Sequence, residues 1–174
     1  EKIGKEKEYE YFKKFGFGEK SGIDLIGEQR GRVADLKDWN DLLRATAAFG
    51  QGISANLIQL ACAYSVIANG GTLVTPHLAE KTISFDGEAK NLDYPSRGQV
   101  IKPEVASQVR EMLGNVVLFG HGKRAAVEGV KVGGKTGTAQ VASPGGGYEA
   151  DKTIGSFAGM FPIDEPQFVM IVRL

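Results

Sequence analysis

The segment from Asn56 to Gly71, NLIQLACAYSVIANGG, constrains the fold more than any other. Leu57, Leu60, Ala61, Tyr64, Ile67 and Ala68 recur at helical spacing on one face, and Ile58 and Cys62 make the opposite side apolar as well. A helix that is apolar all round has to be buried, so this one belongs at the centre of the molecule. Its ends are written out too. Asn56 followed three residues later by Gln59 spells a capping box, and Asn69-Gly70-Gly71 supplies a left-handed stop. Cys62, the single cysteine, falls inside the helix, which leaves no internal disulfide and predicts a packed thiol whose pKa is raised by apolar surroundings.

The rest of the chain arranges itself around that helix. The glycine-rich stretch Phe15 to Arg32 has no sustained period and reads as an ordered loop, and Asp38 to Leu43 as a helical turn or two, capped by Asp38. Lys81 to Phe85, followed by Asp86-Gly87, predicts a small surface hairpin. A second helix starts near Pro103, carries Val105, Val109, Met112, Leu113, Val116 and Val117 on one face, and ends at Gly120 to Gly122. The pattern then changes to strands: Val130 to Val141, Ile154 to Phe161 and Phe168 to Val172, separated by Ser143-Pro144-Gly145-Gly146-Gly147 and by Pro162 to Pro166. The short second connection favours antiparallel pairing. The expected class is therefore α+β, with helices packed on an antiparallel sheet and one domain for 174 residues. Twenty-one basic residues balance 21 acidic ones, so no net field recruits nucleic acid or an anionic membrane, and Lys2 to Lys14 reads as a solvated helix face. No apolar run approaches the roughly 18 residues of a membrane span, and the start has no signal-peptide core, so any anchor or export signal lies outside these residues. The chain opens on a charged segment, EKIGKEKEYEYFKKF, and stops inside an apolar run, FVMIVRL, without a turn or cap. It reads as a piece of something larger.

Glu128 to Gln140, EGVKVGGKTGTAQ, carries two legitimate spellings. Gly129-x-x-x-x-Gly134-Lys135-Thr136 matches the phosphate-loop pattern, and Lys135-Thr136-Gly137 matches the third signature of the penicillin-recognising serine enzymes. A phosphate loop needs a buried strand before it and a helix starting at its Lys-Thr, because the helix N-terminus holds the phosphates. Here the upstream Gly122 to Glu128 is too polar for a central strand, and Thr136 is followed by Gly137 and soon by Pro144, a helix-poor beginning with a breaker. The same letters suit an extended strand. Gly133 and Gly134 permit close approach of a backbone or a ligand, and Gly137 leaves room for a substrate against the strand. A glycine-rich strand without chemistry fits these residues equally well. His77 and His121 have no cysteine or carboxylate constellation at ligand spacing, so neither a metal nor a cofactor is expected.

Four blocks taken together, FGFGEKSGIDLIGEQRG, AFGQGISANLIQLACAYSVIANGGTLVTPHL, KVGGKTGTAQ and SFAGMFPIDEPQFVMIV, resemble in content and order the transpeptidase domain of class B penicillin-binding proteins. The resemblance spans nearly the whole chain. It implies the penicillin-binding and serine β-lactamase-like fold, and a serine D,D-transpeptidase that cross-links peptidoglycan stem peptides and is acylated by β-lactams. That family places its nucleophile in S-x-x-K, an S-x-N opposite it, and K-T-G on the strand closing the cleft. No S-x-x-K occurs here; the nearest match, Ser107-Gln108-Val109-Arg110, ends in arginine inside the second predicted helix. Ser54-Ala55-Asn56 spells S-x-N, but Asn56 stands where the family has a helix cap, so the match is one of spelling. The chain is therefore expected to be the C-terminal portion of a single domain, residues 1–174, with its nucleophile upstream and no activity alone.

By the same resemblance, Lys135 holds positive charge beside the second-motif serine, and Thr136 and Thr138 offer hydroxyls to the substrate carboxylate. Gly137 lets the ligand lie along the strand, the Thr138 N–H forms half of the oxyanion hole, and Gln140 lines the acceptor side. The implied partners are stem peptides, β-lactam antibiotics, the N-terminal part of the domain and cell-wall synthesis proteins of division or elongation. The implied location is the outer face of the bacterial cytoplasmic membrane. The rival expectations are a β-lactamase or β-lactam sensor, against which the GQG and FGFG blocks argue, and a non-catalytic binding module.

Overall fold

The computed structural model describes residues 3–143 and 145–174, so Pro144 of the predicted turn and Lys2 of the predicted solvated face lie outside the described residues. Helix α1 (Lys5–Lys14) turns Tyr9 and Phe12 onto Trp39, with ring centroids 5.7 and 5.9 Å away. Trp39 is buried, and its indole N–H donates to the Ala34 carbonyl at 2.9 Å, so its polar end is satisfied. Helix α2 (Asp41–Ala47) is capped by Asn40, whose side chain accepts the Leu43 N–H at 2.7 Å. The predicted cap, Asp38, instead closes a 3-10 turn, donating its N–H to Asp35 at 2.8 Å, two residues too early to cap α2.

Helix α3 (Leu57–Ala68) has both predicted ends. The Asn56 side chain accepts the Gln59 N–H at 2.7 Å and the Gln59 side chain accepts the Asn56 N–H at 2.9 Å. Gly70 and Gly71 leave the helix at φ +85 and +112, a turn closed by non-glycine residues only at a steric cost. The buried stripe, however, is Gln59, Cys62, Ala63 and Val66, while Leu57 of the predicted face is 43% exposed. The cause is Gln59, whose side-chain amide donates to the carbonyls of Gly16, Glu19 and Arg30 at 3.3, 2.7 and 2.9 Å. The glycine-rich loop thus docks on the polar residue that a hydrophobic pattern assigns to the outside. Cys62, Val66 and Leu73 form the core with Phe15, Ile58, Val100 and Ile101 around them.

Four short strands follow, β1 (Thr72–Leu73), β2 (Lys81–Ile83), β3 (Ala89–Asn91) and β4 (Gly98–Gln99). β1 pairs antiparallel with β4, and β2 with β3 as the predicted hairpin. Helix α4 (Pro103–Leu118) begins with its proline in the first turn, and buries Ala106, Leu113, Gly114 and Val117. Val105 and Met112 of the predicted face stay exposed, because small residues let the helix come close to the sheet at Gly114 and Gly133.

β5 (Gly133–Ala142), β6 (Tyr148–Phe161) and β7 (Phe168–Arg173) form an antiparallel sheet in that order. β5 starts three residues after the predicted Val130, whose N–H instead turns back to the Val127 carbonyl at 3.2 Å. Gly133 and its partner Met160 share the face covered by α4, and Met160 is fully buried. The chain is α+β, with helices packed on one face of an antiparallel sheet.

Candidate active site

Lys135, Thr136, Gly137 and Thr138 occupy the middle of β5, opposite Ala158, Phe157, Ser156 and Gly155 of β6. Extended backbone on both sides of Lys135 and Thr136 removes the phosphate loop, which requires a helix to start there.

The direction of the backbone groups follows from one hydrogen bond. The Leu174 N–H donates to the Gly155 carbonyl at 2.9 Å, which fixes Gly155 as a residue facing β7. In an antiparallel ladder both groups of a residue point to the same neighbour and successive residues alternate. Ser156 and Ala158 therefore face β5, and their partners Gly137 and Lys135 are bonded to β6. Thr136, Thr138 and Gln140, one step out of phase, turn their N–H and C=O to the other edge of β5, which pairs with no strand among the described residues. The site residues thus lie on an edge strand with unpaired donors pointing outward.

The cation is held at the same edge. Lys135 is exposed, and its ammonium donates to the Thr136 carbonyl at 2.8 Å. None of the ion pairs among the described residues involves Lys135, so its charge faces no internal carboxylate. Thr138 is exposed and Thr136 half-buried. Together they present an ammonium, two hydroxyls and outward N–H groups along about 10 Å of strand, a surface suited to an anionic extended ligand.

The glycines divide by role. A Cβ at Gly133 would meet Ile163, and one at Gly134 would meet the Phe157 ring and the Ala158 carbonyl, so both serve packing of the chain on itself. A Cβ at Gly137 would lie 2.6 Å from the Ser156 hydroxyl. Gln140 is exposed and, with Ala139, Arg32 and the loop Gly50 to Ser54, lines a cavity of about 320 Å³. Arg32 and that loop were not legible as site residues. Their only signal was Gly31, which takes φ +66 and lies so close to the Ser54 carbonyl that no side chain fits. A larger cavity of about 520 Å³, between α4 and residues 126–132, contains none of Lys135 to Thr138.

None of the other candidates lies on β5. Asn56 uses its whole side chain, accepting at the α3 cap and donating to the Gln29 carbonyl at 2.6 Å. Ser107 sits within α4. His77 stacks on Tyr94 with centroids 4.0 Å apart, and His121 is exposed in the turn after α4. Among the described residues, no three His, Cys, Asp or Glu side chains gather at metal-binding distance, and no helix is long and apolar enough to cross a membrane.

The whole chain, residues 1–174, matches the family model of the penicillin binding protein transpeptidase domain. It is 44% identical to stage V sporulation protein D of Bacillus subtilis, over 100% of this chain and 27% of that protein. It is 32% identical to the peptidoglycan D,D-transpeptidase FtsI of Escherichia coli, over 92% of this chain and 26% of that one. The crystal structure of penicillin binding protein 3 from Mycobacterium tuberculosis, complexed with aztreonam, matches with a TM-score of 0.94 at 36% identity, covering 99% of this chain and 40% of that one. The chain thus spans about a quarter of the length of these curated relatives.

Proposed function

Because the chain belongs to the penicillin-binding protein transpeptidase domain family, we propose that it is the C-terminal portion of one such domain and supplies the strand wall of a serine acyl-transfer site. The observation that carries this is the open edge of β5, where Lys135, Thr136, Gly137 and Thr138 set a cation, hydroxyls and outward N–H groups in one row.

In the proposed reaction a serine outside these residues attacks the carbonyl between the two terminal D-alanines of a stem peptide. The C–N bond breaks and D-alanine leaves with the proton. The amine of a second stem peptide then displaces the serine and forms the cross-link. A β-lactam stops the cycle by acylating the same serine through ring opening. The Thr138 N–H supplies one donor to the oxyanion of each tetrahedral intermediate. Lys135 keeps positive charge beside the serine of the second motif, and the Thr136 and Thr138 hydroxyls take the substrate carboxylate. Gly137 leaves the strand bare where the ligand lies, and Gln140 borders the acceptor. The longer protein works at the outer face of the cytoplasmic membrane with its own N-terminal part and cell-wall synthesis proteins as partners. Without a nucleophile the 174 residues alone are inactive.

Fluorescent penicillin tests this. The chain joined to an N-terminal portion bearing S-x-x-K and S-x-N is expected to be labelled covalently, and Lys135→Ala to slow labelling on the order of a hundredfold or more. Labelling of the 174 residues alone, or undiminished labelling of the variant, overturns the reading.

A further inference from the structure

Beyond Thr138, β5 runs into a largely apolar cavity with a few polar groups, which acylation does not use. Ala139 and Gln140 form one wall, the loop Gly50 to Ser54 the other, and Arg32 lies at its rim, enclosing about 320 Å³. The rim is rigid. Arg32 and Ser54 exchange backbone hydrogen bonds at 2.9 Å in both directions, and Gly31 presses on the Ser54 carbonyl. Arg32 enters no ion pair among the described residues. Its guanidinium is a planar fork whose natural complement is a carboxylate, and Gln51, Ser54 and Gln140 add neutral hydrogen-bonding groups around it.

Position then narrows the ligand. Gln140 stands two strand steps beyond Thr138, about 7 Å along β5, so the cavity adjoins the Thr138 N–H. We propose that this cavity binds the carboxylate of the acceptor peptide, through Arg32 with Gln51 and Gln140 beside it, and so aims the acceptor's amine at the acyl carbonyl held at Thr138. The assignment rests on the acyl-transfer reading and adds a second substrate subsite to it.

The test follows acceptor use by the full-length enzyme, with a thioester donor and two acceptors, acetyl-L-Lys-D-Ala and its C-terminal amide. The wild type is expected to use the acid with a KM about ten- to hundredfold below that of the amide. Arg32→Ala should erase that preference through KM rather than kcat, and Arg32→Lys should retain part of it. Where Arg32→Ala fails to fold, Gln51→Glu replaces it, and its like charge is expected to reverse the preference. Equal use of acid and amide by the wild type, or a preference that survives Arg32→Ala, overturns the proposal. A wild-type enzyme that forms no acyl-enzyme at all sinks the acyl-transfer reading and this subsite with it. An acyl-enzyme that forms but ignores the acceptor's carboxylate sinks the subsite only.

Discussion

At the scale of single residues, two neighbouring strands contain glycines with opposite reasons for being there. Gly134→Ala would drive a Cβ into the Phe157 ring and the Ala158 carbonyl, and backbone cannot step aside cheaply, so a loss of about 1–3 kcal/mol is expected in urea unfolding. Gly155→Ala meets nothing within 4 Å at an ordinary strand φ, and should stay within about 0.5 kcal/mol of the parent. Asp24 makes a different kind of contribution. Its carboxylate accepts the Ala79 and Leu78 N–H groups at 2.8 Å each and the Tyr94 hydroxyl at 3.2 Å, and these bonds, Ala79 first, hold its pKa below the ordinary aspartate range. A depressed folded pKa gives stability that is present above the unfolded pKa and lost as pH falls through the folded one. The melting temperature of the parent should therefore exceed that of Asp24→Asn at neutral pH, and the gap should close on acidification below the ordinary aspartate range. A gap independent of pH would remove the charge from the explanation. Lys135 to Thr138 were legible from their letters because strand chemistry and motif coincide there. Arg32 was not, since only the backbone pairing of residues 32 and 54 brings it to β5.

At the scale of elements, α3 shows which kind of information a linear pattern holds. Caps are local, set by groups three residues apart, and Asn56, Gln59 and Asn69-Gly70-Gly71 behaved as their spacing required. The buried stripe is not local. It was decided by three loop carbonyls, 29 to 43 residues away, that converge on one amide. The same distinction explains β6, which extends six residues before the predicted Ile154 because backbone pairing with β5 continues where side-chain alternation fades. The energetic order follows. Asn56→Ala removes one cap and should cost about 1 kcal/mol. Gln59→Leu fills the space but strips the donor from one buried and two part-buried carbonyls, the buried one worth about 1–3 kcal/mol when left unpaired, and should cost more. Urea midpoints at constant m-value compare the two; a Gln59→Leu variant no worse than Asn56→Ala would mean water replaces the amide.

At the scale of the whole molecule, the described residues cover one face of the sheet and leave apolar side chains of β7 exposed on the other. Met160 faces α4 and is buried, whereas Phe168 and Met170 on the opposite face of β7 are 61% and 53% exposed, with Val172 beside them. The outer edge of β7 also pairs with no strand among the described residues, so an apolar face and an open ladder meet at one place. A chain that folds as part of a larger domain would normally have both covered by segments it does not contain. The 174 residues produced alone should therefore melt at low temperature and associate through this face. Light scattering behind size exclusion should give a mass that rises with loading concentration. Met170→Lys places charge on the exposed face without touching the buried one, so it should shift the chain toward monomer and leave the melting temperature nearly unchanged. If association instead ran through the β5 edge, Met170→Lys would not alter it and Thr138→Pro, which removes an outward N–H, would. A cooperative, high-melting monomer would oppose the proposal that these residues are one portion of a domain, because it would show that the bare face needs no cover.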